Sequence, residues 1–154
     1  MQVTAFCFNW TEVRKRTSPE QIVAEMIHTD DIDIYSIALT DGMWSSDSAS
    51  QHFQAAEEIA LALGKAPSTE LQDVSEVIST REALDELGIS PLTEGCYFIS
   101  ISPERIQTLL PSFERVAAKH VSDLSGDTHE WINQWRAALQ YAAANQFGII
   151  GHCG

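Results

Sequence analysis

Cys96-Tyr97-Phe98-Ile99-Ser100-Ile101-Ser102-Pro103-Glu104 joins two opposite structural signals within one short stretch. Its first six residues are mostly β-branched or aromatic and favour a strand. Ser102 is then a good helix N-cap and Pro103 suits the first helical position. A strand that runs directly into a helix predicts elements that pack on each other, because neither can bury its apolar side alone.

The same signals, followed outward along the chain, predict an α+β fold or a layered α/β fold. We expect a single small sheet of about four strands packed by four to five helices, in one globular domain over residues 1–154. Thr40 to Ser50 is predicted as a loop, residues 65–78 are undecided, and Pro111 is expected to kink or split its helix. The remaining predictions are strands at 3–8, 32–39 and 147–151 and helices at 19–28, 50–63, 80–87 and 128–146, the last one capped by Asp127 or Thr128 and ended by Gly148.

Composition and length predict a globular cytoplasmic protein. A chain of 154 residues, 44% of them hydrophobic, can bury roughly 70% of the surface that its unfolded form exposes. The apolar run 59–63 is far shorter than the ~20 residues that cross a bilayer, and residues 1–7 show no secretory signal. Three cysteines without paired spacing do not predict a disulfide framework.

The negative charge is concentrated in the middle of the chain. Residues 21–94 hold fifteen acidic side chains against Lys65 and Arg81, and the whole chain carries a net charge of −13. Such a field attracts basic partners and repels nucleic acid and anionic membranes. The basic cluster Arg14-Lys15-Arg16 is small, and we interpret it as a solvated loop. The alternative for the acidic run is that it serves solubility only.

No pattern in the sequence indicates a reaction. No two His or Cys residues have the spacing of a metal pair; His120 and His129 lie nine apart across a turn, so no metal and no cofactor are expected. The chain has no Gly-x-Ser-x-Gly elbow and no Gly-rich phosphate loop. Cys7 and Cys96 fall in predicted strands, where cysteine usually behaves as a small buried hydrophobe.

Candidate contact residues lie in and around Asp41-Gly42-Met43-Trp44-Ser45-Ser46-Asp47-Ser48. Trp44 is large and apolar among acids and small polar residues, and tryptophan is enriched where interfaces hold most of their binding energy. The alternative is that Trp44 folds back into the core, as we expect for Trp131 and Trp135. The predicted partner-binding residues are Asp30, Asp31, Asp33, Asp41, Trp44, Asp47, Glu57 and Glu58.

The whole profile resembles the cytosolic immunity proteins of bacterial toxin systems, which are α+β proteins that block the active site of a cognate toxin. The ending Leu139-Gln140-Tyr141-Ala142-Ala143-Ala144-Asn145-Gln146-Phe147-Gly148-Ile149-Ile150-Gly151 is similar to the tails of such small bacterial families. The resemblance implies a basic protein partner, a toxin domain, and carries over no functional residue. Two alternatives stay open: a small enzyme or ligand-binding protein with a pocket lined by His52, Cys96 or Tyr97, and a structural subunit of a larger assembly.

Overall fold

The computed structural model describes residues 3–16, 39–46, 49–78, 97–120 and 122–153, and shows an α+β fold. Helices make up most of this part of the chain, and every described strand pair is antiparallel. The elements in chain order are β1 (Val3–Phe8), α1 (Trp10–Arg16), β2 (Leu39–Ser46), α2 (Ala49–Lys65), α3 (Thr69–Ile78), β3 (Tyr97–Ile101), α4 (Pro103–Lys119), α5 (Gly126–Asn145) and β4 (Gly148–Cys153).

The sheet is held together by the two ends of the described chain. Its strand order is β2-β1-β4-β3, so β1 and β4 are the inner strands, with Phe6 paired to Ile150 and Phe8 paired to Gly148. The predicted strands at 3–8 and 96–101 therefore share one sheet, but they are not neighbours, because β4 lies between them. β2 and β3 form the edges of the described sheet.

The core lies among helices α2 to α5 and the buried side chains of the sheet. Trp131 and Trp135 of α5 are fully buried, as predicted, and surround Phe113 of α4. The three ring centroids are 6.0–6.5 Å apart, a spacing at which aromatic pairs attract beyond their burial. The 3.6-residue spacing of apolar residues in α4 and α5 thus identifies their buried faces.

Two serine side chains begin the long helices. The Ser102 hydroxyl accepts the Arg105 N–H at 3.2 Å at the start of α4, as the sequence predicts. The cap of α5 was predicted wrongly: Ser125, rather than Asp127 or Thr128, accepts the Thr128 N–H at 3.3 Å. Serine at N-cap leaves Thr128 to point into the core, where it is fully buried.

Pro111 neither splits α4 nor ends it, since the helix is continuous from Pro103 to Lys119. Proline removes one backbone hydrogen bond from a helix interior. The apolar face continues on both sides of it, with Leu109 before and Phe113 after, both buried. Packing of this face against neighbouring helices opposes a break at the proline.

Two predicted loops are regular structure. Residues 40–46 belong to β2, and Arg14 and Lys15 lie on the short helix α1, whose first turn is capped by the Asn9 side chain accepting the Thr11 N–H at 3.2 Å. Arg14 and Lys15 are nevertheless exposed, as their charge predicts. The undecided stretch 65–78 contains α3.

Several predicted elements lie outside the described residues. They are the helix at 19–28, most of the strand at 32–39 and the helix at 80–87. The predicted helix at 50–63 corresponds to α2 and the strand at 147–151 to β4. The apolar spacing within 50–63 predicts Ile59 and Ala60 on the buried face of this helix. In α2, Ile59 is buried, whereas Ala60 is exposed and Ala55 is buried.

Candidate partner-binding surface

The predicted contact residues fall into three groups. Asp30, Asp31, Asp33 and Asp47 lie outside the described residues. Asp41 and Trp44 belong to β2, at an edge of the described sheet, and Glu57 and Glu58 lie on α2. The structure therefore does not bring the described members of the set onto one element.

Asp41 lies in an irregular section of β2. Leu39 pairs with Phe8 and Met43 pairs with Phe6, so β2 uses three residues where β1 has only Cys7. Extra residues of this kind form a bulge, which bends the strand and changes the direction of its side chains. Gly42 is the sequence signal for it, because an isolated glycine in a strand pattern often marks a bulge. Trp44 is back in register, opposite Ala5.

Glu58 makes a structural contact that sequence analysis missed. Its Oε2 accepts the Ser125 N–H at 2.8 Å, and its Oε1 accepts the Gln54 side-chain N–H at 3.1 Å. Gln54 Nε2 also donates to Ser125 Oγ at 3.0 Å. Glu58 and Gln54 of α2 thus hold the capping residue of α5 in place. Glu58 therefore connects α2 with α5. This structural role accounts for an acidic residue at position 58 without any partner protein.

The same contacts keep the Glu58 carboxyl ionised. Partial burial acts to raise its pKa, but the hydrogen bonds that it accepts, first that of the Ser125 N–H, outweigh burial and lower the pKa from 4.5 to about 2. Its position at the N-terminus of α5 also favours a negative charge, because unsatisfied N–H groups there carry partial positive charge.

The acidic residues of α3 face basic residues of α4. Arg105 contacts both Asp73, at 3.2 Å, and Glu76. Asp73 also accepts the hydroxyl of the fully buried Ser112 at 2.5 Å. Lys119 pairs with Glu70 at 3.3 Å. The carboxylates of this part of the acidic segment are therefore paired within the chain, three of them with two basic side chains, which the run of charges along the sequence does not reveal.

Glu57 is exposed, in contrast to its neighbour Glu58. One helical turn after it stands Leu61, whose side chain is 61% exposed. Together they place a negative charge and an apolar side chain on the solvent side of α2, since residues four apart share a helix face.

Leu61 lines a groove of about 370 Å³ between α2 and the turn that joins α4 to α5. We call this the Leu61 groove. In the turn, His120 Nδ1 lies 3.6 Å from Asp123 Oδ2, and the Asp123 side chain is 63% exposed. The residues that define the groove are Glu58, Leu61, Ala62, Lys65, Ala66, His120, Ser122 and Asp123.

Cys7 and the possible metal ligands among the described residues bear on the enzyme alternative. Burial raises the pKa of the Cys7 thiol to about 11, and a thiol rather than a thiolate is a poor nucleophile. Within the described ranges, no three His, Cys, Asp or Glu residues cluster as metal ligands would. Of the alternative pocket residues, His52 lies on α2 and Tyr97 on β3, and Cys96 lies outside the described part.

Comparison of the chain with protein-family models, with curated proteins and with solved structures finds no match. Among the described helices, none is both long enough and apolar enough to cross a membrane.

Proposed function

We propose that this protein is a cytosolic acidic binding protein that neutralises a cognate toxin or effector domain by occluding its basic active site, as an immunity protein does. The observation that carries the proposal is the net charge of −13, which comes from residues 21–94. A catalytic cleft that binds an anionic substrate is basic, and an acidic protein fits it by charge. The acidic residues would then act in place of the substrate.

Ion pairs and hydrogen bonds within the chain reduce the number of described acidic residues that are available to a partner. Glu58 caps α5, and the acids of α3 contact Arg105 and Lys119 of α4. Glu57 has the exposed side chain that a contact at the rim of an interface requires. We therefore retain Glu57 as a proposed contact residue, and we assign Glu58 a structural role instead of a contact with the partner.

Neutralisation is tested with the protein encoded by the reading frame adjacent to this gene. We expect its toxicity in a bacterial host to be lost on co-expression of this chain, and its purified activity to be inhibited at a one-to-one ratio. Survival of the toxic activity at excess of this chain would contradict the proposal. Turnover of a nucleotide, peptide or ester by the purified chain alone would support the enzyme alternative instead.

Association kinetics test whether the acidic charge acts on the partner. We expect fast association at low salt that slows steeply toward about 0.2 M salt, since ions screen charges over ~8–10 Å. Glu57→Lys should lower the association rate on the order of threefold and change dissociation little, because charges at a rim mainly steer the encounter. Stopped-flow fluorescence measures both rates.

Glu130→Lys is the matched control, since it makes the same charge change at an exposed position of α5, outside the acidic segment. We expect it to affect the association rate less than Glu57→Lys. An association rate that is indifferent to salt and to Glu57→Lys would leave the acidic residues as a solubilising surface.

A further inference from the structure

Leu61 is exposed because it lies away from the buried side of α2. Ile59, two residues earlier, is fully buried, and two residues turn an α-helix by about 200°. The large apolar side chains that are exposed in the described part of the chain are Leu61, at 61%, and Tyr141, at 40%. A single exposed apolar side chain is ordinary, so the surroundings of Leu61 decide its interpretation.

Those surroundings are concave. Leu61 and Ala62 form one wall of the Leu61 groove, and His120 and Ser122 of the α4–α5 turn contribute to the lining. A groove of about 370 Å³ is large enough to enclose a side chain of a partner, and enclosed apolar contacts exclude water better than flat ones. Tyr141, by comparison, packs its ring against Phe147 of its own chain, with centroids 6.2 Å apart.

The charges around the groove indicate which side chains of a partner protein would fit it. Glu58 and Asp123 line it, and Glu57 lies one helical turn from Leu61, whereas Lys65 is the basic residue of the α2 wall. Carboxylates outnumber ammonium groups here, on a chain whose net charge is −13. The complementary surface is an apolar side chain flanked by arginine or lysine.

We propose that the Leu61 groove docks an apolar side chain, flanked by basic residues, from a basic partner protein. This inference rests on the proposed function, because it names the contact that holds the partner after the acidic field has attracted it. Leu61 receives the apolar side chain, and Asp123 and Glu57 pair with its basic neighbours. Trp44 of β2, predicted from sequence as the anchor, is then not needed for slow dissociation.

The probe is a synthetic peptide, Arg-Arg-Leu-Phe-Arg-Arg, titrated into the ¹⁵N-labelled full chain at about 0.3 M salt, where screening suppresses long-range attraction. We expect amide shifts to concentrate at residues 57–66 and 120–125. Leu61→Ala should weaken peptide binding about tenfold, equivalent to about 1.4 kcal/mol. Tyr141→Ala is the matched control and should leave the affinity within about twofold.

Three results of the peptide titration would overturn the proposed docking at the groove. They are shifts on other faces of the molecule, an equal loss with Tyr141→Ala, and equal binding of Arg-Arg-Ala-Ala-Arg-Arg, which would show attraction by charge alone. A dimer of the free chain that Leu61→Ala dissociates in sedimentation would also overturn it, with a second copy as the occupant. If the Leu61→Ala variant still neutralises the toxin as well as the wild type does, docking at the groove is wrong and the proposed function stands. If the peptide binds at the groove but the chain does not neutralise the toxin, only the proposed function is wrong.

Discussion

Gly148→Ala should lower the free energy of unfolding by about 3 kcal/mol, in the upper part of the range for overpacked sites. Gly148 begins β4 opposite Phe8, and the six-membered ring of Trp10 lies directly against its backbone. A methyl group at this position would overlap atoms of the ring, and Trp10 is itself only 6% exposed and has little room to move. Urea unfolding followed by far-UV circular dichroism measures the change.

Two variants show whether the ring contact is responsible. Gly64→Ala adds the same methyl group in the last turn of α2, where no atom other than those of its chain neighbours and of the adjacent helix backbone lies within 4 Å. It should raise stability by about 0.5 kcal/mol through lower backbone entropy in the unfolded chain. In a Trp10→Ala background, Gly148→Ala should cost less than about 1 kcal/mol, because the two effects are coupled. A full cost in that background would contradict the explanation.

Glu58→Gln should lower the free energy of unfolding by about 2 kcal/mol at neutral pH, since a hydrogen bond to a charged group contributes about 1.5–3 kcal/mol. The glutamine has the same shape, but its NH₂ group must face one of two donors, the Ser125 N–H or the Gln54 side chain. Glu57→Gln is the matched control on the adjacent, exposed side chain. It should change stability by less than about 0.5 kcal/mol.

The stabilisation by Glu58 should depend on pH in one direction. The pKa of its carboxyl is about 2 in the folded protein, below its ordinary value of 4.5, so protonation favours the unfolded chain. The contribution is complete above about pH 4.5 and is lost as the pH falls through 2. The stability difference between wild type and Glu58→Gln, measured by urea unfolding from pH 6 to pH 2.5, should therefore shrink. A constant stability difference over that pH range would contradict the stabilisation of the α5 N-terminus by ionised Glu58.

The local elements were largely available from sequence. Strand β1 follows from the β-branched and aromatic residues of 3–8, and α5 from the spacing of Trp131, Trp135 and Leu139, which are all buried. These features depend on neighbours within a few residues, where side-chain spacing and backbone preference act together. β2 was missed because Asp, Gly and Ser make up four of the seven residues 40–46, although Met43 to Ser46 are paired with β1.

The sequence by itself determined a mixed fold of helices and a small sheet, the buried face of α5 and the excess of negative charge. Only the tertiary structure decided which acidic residues remain for a partner. Glu57 and Glu58 are adjacent and chemically identical, yet one is exposed and the other holds Ser125, 67 residues further along the chain. Similarly, Gly148 was predicted to end a helix, but Gln146 caps α5 in the left-handed conformation, and Gly148 begins β4 with the Trp10 ring against its backbone. Such contacts join residues that are distant in sequence, and only the folded chain brings them together.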